Sequence, residues 1–197
     1  MTLEWFTALA TFAFVSSVTP GPNNLMLMAS GANFGFRRTL PHMLGVSIGF
    51  TVMLTLVGIG LAQLFEQFPL AYTILKFIGT AYLLFLAFKI ATATSIGSDT
   101  KANAKPFTFI QAALFQWVNV KAWTMALTAM TLYASSQELS SYVAVALVFG
   151  TINIPSISLW TVLGMKVREF LTSEFKLRAF NITMAVLLVL SLAPTVL

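Results

Sequence analysis

Cysteine is absent from the 197 residues, which excludes disulfides and thiolate metal centres from the outset. Charge is nearly as scarce. Lys, Arg, Asp and Glu make up 9% of the chain, where a soluble domain carries about a quarter. Such a chain cannot clothe itself in a wetted surface, and at this length one core cannot hide 58% hydrophobic residues. Acids are scarcer still. Glu4, Glu66, Asp99, Glu138, Glu169 and Glu174 all stand at the ends of apolar stretches or between them, so no carboxylate is placed inside one to carry a proton. With a single histidine added, this leaves too little for an enzyme, a metal site or a bound cofactor, and none is expected. No nucleotide-binding loop is present either, so ATP does not drive the protein directly.

What is there is hydrocarbon, in blocks. A span needs ~20 mostly apolar residues. Stretches of that kind fall at about 3–36, 39–65, 69–89, 107–133, 142–165 and 179–197, the first too long for one straight helix. Glu4 and no basic residue precede the first stretch, so a cleaved signal peptide is not expected. The fold class expected is an all-α membrane protein of six transmembrane helices, forming a single transmembrane domain over 1–197. A polar connection at about 92–105 divides it into halves at about 1–91 and 106–197.

The net charge of +5 does not point to nucleic acid, because the basic residues punctuate apolar runs rather than form a patch. Arg37, Arg38, Lys89, Lys101, Lys105, Lys166, Arg168, Lys176 and Arg178 all fall at the first, third and fifth connections. That asymmetry places those connections in the cytoplasm and both termini outside, which is the periplasm for a bacterial inner membrane. Three spans per half also mean that the second half enters from the opposite side, so a likeness between halves is a 3+3 inverted repeat. Each half opens with a long span interrupted part-way: Thr19-Pro20-Gly21-Pro22-Asn23-Asn24 in the first and Gln116-Trp117-Val118-Asn119-Val120-Lys121 in the fourth.

At the first interruption two prolines delete backbone donors and a glycine loosens the chain. In hydrocarbon, freed carbonyls are tolerated only if buried in protein or facing a watery cavity. Proline also suits a first turn, so a helix restarts after Pro22, with its positive end and free amides in mid-membrane. A carboxylate is the natural guest for Pro20, Gly21, Pro22, Asn23 and Asn24; a simple kink is the alternative. Lys121 lies deep in the fourth span, where a lysine costs ~3 kcal/mol or more to insert. It is either a substrate ligand, oriented by Gln116 and Asn119, or a lysine held by carbonyls freed in the first span. Lys76 snorkels outward on a structural reading.

These residues resemble a known family. Thr19-Pro20-Gly21-Pro22-Asn23 looks like the first-span signature of the LysE/RhtB amino-acid exporters, and Asn119-Val120-Lys121-Ala122 resembles their second signature, usually Asn-Pro-Lys-Ala. Valine in place of proline predicts a less sharply broken fourth helix. Gly79, Tyr82 and Leu83 fit the family's third span. Gln116 through Lys121, with Phe88-Lys89-Ile90-Ala91-Thr92, looks most like its cysteine and O-acetylserine branch. The resemblance implies a secondary exporter of small neutral amino acids, driven by protons or by the substrate's own gradient. A passive channel, or an exporter of homoserine and threonine, is the alternative. Its partners would be the amino acid, the bilayer and, as an open choice, further copies of itself.

Other motifs carry less. Gly45-Val46-Ser47-Ile48-Gly49 matches a hydrolase elbow but lacks the strand-turn-helix setting, and reads better as a small-residue packing face. His42 reads as a polar residue at the cytoplasmic boundary. Trp5, Tyr133 and Tyr142 read as an aromatic belt at the outer interface.

Overall fold

The computed structural model describes residues 2–61, 63, 67–92 and 105–191. Glu66, Asp99, Lys101, nearly all of the expected connection at 92–105 and the end of the sixth stretch lie outside the described residues. Every element described is helical: α1 (Leu3–Val18), α2 (Pro22–Phe34), α3 (Phe36–Leu56), α4 (Pro69–Ala91), α5 (Phe109–Phe115), α6 (Val120–Tyr133), α7 (Leu139–Phe170) and α8 (Glu174–Leu190). Phe36–Leu61, Thr73–Ala91 and Leu139–Phe170 are long and apolar enough to cross a membrane, and Leu3–Val18 and Phe109–Val118 are shorter apolar helices.

The breaks and caps follow local chemistry. α1 ends at Val18, ahead of the two prolines, and Gly21 is extended before Pro22 opens α2. The next reversal is tighter than the sequence suggests. Gly35, at φ 77, alone separates α2 from α3, so Arg37 and Arg38 sit in the first turn of α3 rather than in a loop. Likewise α7 runs to Phe170 and α8 starts at Glu174, so the basic residues expected between spans five and six lie on helix ends. Thr108 caps α5 through a reciprocal bond pair with Gln111, and Ser173 caps α8.

α7 is the spine. It packs along α1, α2 and α3, while α8 packs on α4 and α5 on α3. Close approaches depend on small residues: a Cβ on Gly31 would meet the Thr161 carbonyl, and one on Gly164 the Met28 carbonyl. Gly45 and Gly49 do the same for α3 against Phe109 and Ala113, as the small-residue reading expects. One core joins Leu9, Phe50, Met53, Trp123, Val145 and Phe149; a second joins Leu25, Leu83, Phe115, Met184 and Leu188. Outside these cores lie exposed apolar rows, among them Leu40, Leu44, Ile48 and Val52 on α3 and Phe77, Phe85 and Phe88 on α4. Trp5 donates its indole N–H to the Tyr133 carbonyl at 2.8 Å, bringing two of the expected belt aromatics together.

Candidate functional site

A helix end leaves carbonyls without intrahelical partners, and burial makes each one costly. At the end of α1 and just beyond it, the carbonyls of Ser17, Val18, Thr19 and Pro20 find side-chain donors. Asn24 Nδ2 donates to Ser17 O and Thr19 O, both at 2.8 Å. Trp160 Nε1 donates to Val18 O at 3.0 Å. Lys121 Nζ donates to Thr19 O at 2.5 Å and to Pro20 O at 3.4 Å. The lysine ammonium thus rests on the first break from across the molecule, 102 residues away in sequence.

The second break reaches back in the same way. Gln116, fully buried, exchanges bonds with Asn23: Asn23 Nδ2 to Gln116 Oε1 at 2.8 Å, and Gln116 Nε2 to Asn23 Oδ1 at 3.3 Å. A third bond, to Ala112 O at 2.9 Å, holds the glutamine to its own helix. A 3₁₀ turn at Gln116–Val118 then gives way to extended Asn119, at φ −92 and ψ 103. This corrects the expectation of a mild break. Without any proline the helix stops, because the freed carbonyls are accommodated: the Trp123 indole takes Trp117 O at 2.8 Å, and Val118 O lies against Gly79.

All eight residues singled out at the two interruptions fall at this junction. Gly21, Asn23, Asn24, Gln116, Asn119 and Lys121 line one cavity of about 30 Å³, room for a water or two. Pro22 lines a smaller neighbouring cavity with Lys76, Asn119 and Lys121, and Pro20 offers its carbonyl to Lys121. Gly21 is here for approach rather than for its dihedrals, since a Cβ would come within 2.7 Å of Lys121 Cδ. Of the two readings of Lys121, the contacts match the second. Among the described hydrogen bonds, carbonyls of the first break hold Lys121, and neither Gln116 nor Asn119 does. Asn24 is turned to α1 and Asn23 to Gln116, so both asparagine amides brace the junction in this conformation.

Asn153 of α7 went unremarked in the sequence, yet it lines the same cavity. Its Nδ2 donates to Ser17 Oγ at 3.1 Å. Among the described residues its Oδ1 has no partner, nor has Asn119 Oδ1, and both atoms are buried. An amide mid-way along an apolar stretch, two residues before Pro155, was the signal available. The cavity therefore offers a cation, the start of α2 without a side-chain cap, and two unmet acceptors. A zwitterion carries the complement of each.

Broken apolar helices meeting around a small polar cavity define a membrane translocator architecture. The family of LysE type translocators matches residues 14–193, and the chain belongs to it. It is 32% identical over 192 residues to proteins named cysteine/O-acetylserine efflux protein from Escherichia coli K12, Shigella sonnei and Shigella flexneri, with 96% of each chain covered. No solved structure matches it.

Proposed function

We propose that this protein exports small neutral amino acids of the cysteine and O-acetylserine kind from the cytoplasm, binding them where its two helix breaks meet. The observation that carries this reading is the pair of cross-links between the breaks, Lys121 to Thr19 and Pro20 and Asn23 to Gln116, around one cavity. The substrate carboxylate takes Lys121 and the amides at the start of α2, in exchange for the backbone carbonyls that now occupy the lysine. The ammonium goes to the free Oδ1 atoms of Asn119 and Asn153. At about 30 Å³ the cavity is closed to an amino acid, so loading separates the two breaks. Separation of this kind couples binding to a change of state, which suits a carrier better than an open pore.

The same reading takes the chain as one domain of six spans in a 3+3 inverted repeat, with termini in the periplasm. Its support is that Phe34, Lys89 and Lys105 border one cavity, gathering the first and third basic connections at one end. Coupling to protons is assigned to Lys121, since no acid stands in the apolar stretches.

Counterflow tests the function. Proteoliposomes loaded with unlabelled O-acetyl-L-serine should accumulate the labelled compound transiently above its external concentration. Simple equilibration without an overshoot indicates a channel, and no movement of any neutral amino acid removes the reading.

A further inference from the structure

The central cavity makes no use of His42. This residue lies on α3 one turn before Val46, is 2% exposed, and among the described residues neither ring nitrogen has a hydrogen-bond partner. A polar group at that depth normally has one. At the boundary expected from the sequence the ring is nonetheless enclosed by protein, because Phe107 packs over it with 5.2 Å between centroids. His42 instead lines a second cavity, of about 230 Å³, with Ser30, Asn33, Lys89, Lys105 and Phe107. Lys89 and Lys105 are exposed, and among the described residues no acid lines the cavity.

The chemistry of this cavity is that of a small zwitterion. A neutral imidazole has one donor and one acceptor nitrogen, so it meets a carboxylate with one and an ammonium with the other. The two lysines draw the anionic end inward. Here the volume admits a small amino acid, whereas the central cavity does not. α2 borders both spaces, and a buried cluster of Leu27, Met43, Val46, Ala112 and Ile157 reaches both. Val46 and Ile157 face the central cavity, and Phe107, packed on the same cluster, faces the second.

We infer that the space around His42 is a second amino-acid site, which loads the substrate at the basic end before the cluster parts to admit it to the helix breaks. The inference rests on the exporter reading for its choice of ligand. Because the chain has no cysteine, Ser30→Cys provides a single reporter in the cavity wall. In detergent-purified protein, O-acetyl-L-serine should slow alkylation of that cysteine by N-ethylmaleimide severalfold. The protection should persist with Lys121→Met, survive His42→Gln, which keeps a donor and an acceptor, and vanish with His42→Met. Should His42→Met not fold, Lys89→Gln with Lys105→Gln provides the second arm and should weaken protection severalfold. A protein that exchanges O-acetyl-L-serine yet gives no protection overturns the site, as does protection indifferent to both sets of variants. Protection without counterflow leaves the site standing and removes the exporter reading instead.

Discussion

The two helix breaks do the same thing with opposite means. The first is written in helix-breaking residues: Pro20 and Pro22 remove donors, and the chain between α1 and α2 has no helical option. Its carbonyls are then collected by side chains from α2, α6 and α7. The second contains neither proline nor glycine, and nothing in Gln116 to Lys121 forbids a helix. It is broken by its surroundings. Gly79 leaves room for the Val118 carbonyl, the Trp123 indole caps Trp117, and Asn23 takes the Gln116 amide. One break is local and the other tertiary, which teaches that the second depends on the first for its shape.

That dependence can be broken from either side. The largest effect should come from Pro20→Ala with Pro22→Ala. A helix running through residues 19 to 23 would withdraw the Thr19 and Pro20 carbonyls from Lys121 and carry Asn23 away from Gln116. We expect protein that still inserts but no longer moves O-acetyl-L-serine in counterflow.

Next in size is Lys121. Lys121→Met should lower efflux by about tenfold or more, equivalent to ~1.4 kcal/mol or more of lost stabilisation. Lys121→Arg should fail as well, because a planar guanidinium does not fit against Gly21 and the two carbonyls as an ammonium does. If Lys121 couples transport to protons, the residual efflux of Lys121→Gln should no longer vary with pH. Wild-type efflux and pH dependence in Lys121→Met would reduce the lysine to a brace for the first break.

Gly79→Ala separates the two means. Its methyl group would crowd the Val118 carbonyl and so disturb the second break alone. Overpacking of this kind costs about 1–3 kcal/mol, to be read as a lower melting temperature in detergent with efflux reduced rather than abolished. The smallest effect expected is that of Asn24→Ala. It leaves Ser17 O without its donor while Thr19 O keeps Lys121, so about 1–3 kcal/mol of stability should be lost. Efflux per folded molecule should change little.

Legibility in the sequence followed the same division. Where the cause was local, the reading was sound: the prolines located the first break, and Gly45 and Gly49 marked a close helix contact. Where the cause was tertiary, the sequence was mute. Val120 in place of proline suggested a mild second break, and nothing near it announced that Gly79 would receive the Val118 carbonyl. Asn153 was passed over, and His42 read only as a boundary residue, for a related reason. Each is one polar residue in an apolar stretch, and its importance lies in which cavity its helix turns it toward. Helix ends also moved, because Gly35 makes the turn that the arginine pair was expected to make.

The central claim is that both halves of the chain line one shared substrate site where the helix breaks meet. It is tested most directly with two separate single-cysteine proteins, Ser16→Cys on α1 and Met125→Cys on α6, since both residues line the cavity between the breaks. Alkylation of each would be followed in purified protein as O-acetyl-L-serine is raised. The account predicts that both cysteines are protected with the same half-maximal concentration, and that Lys121→Met raises that concentration equally for both. Protection of one cysteine alone, or half-maximal concentrations that differ between the two, would contradict it.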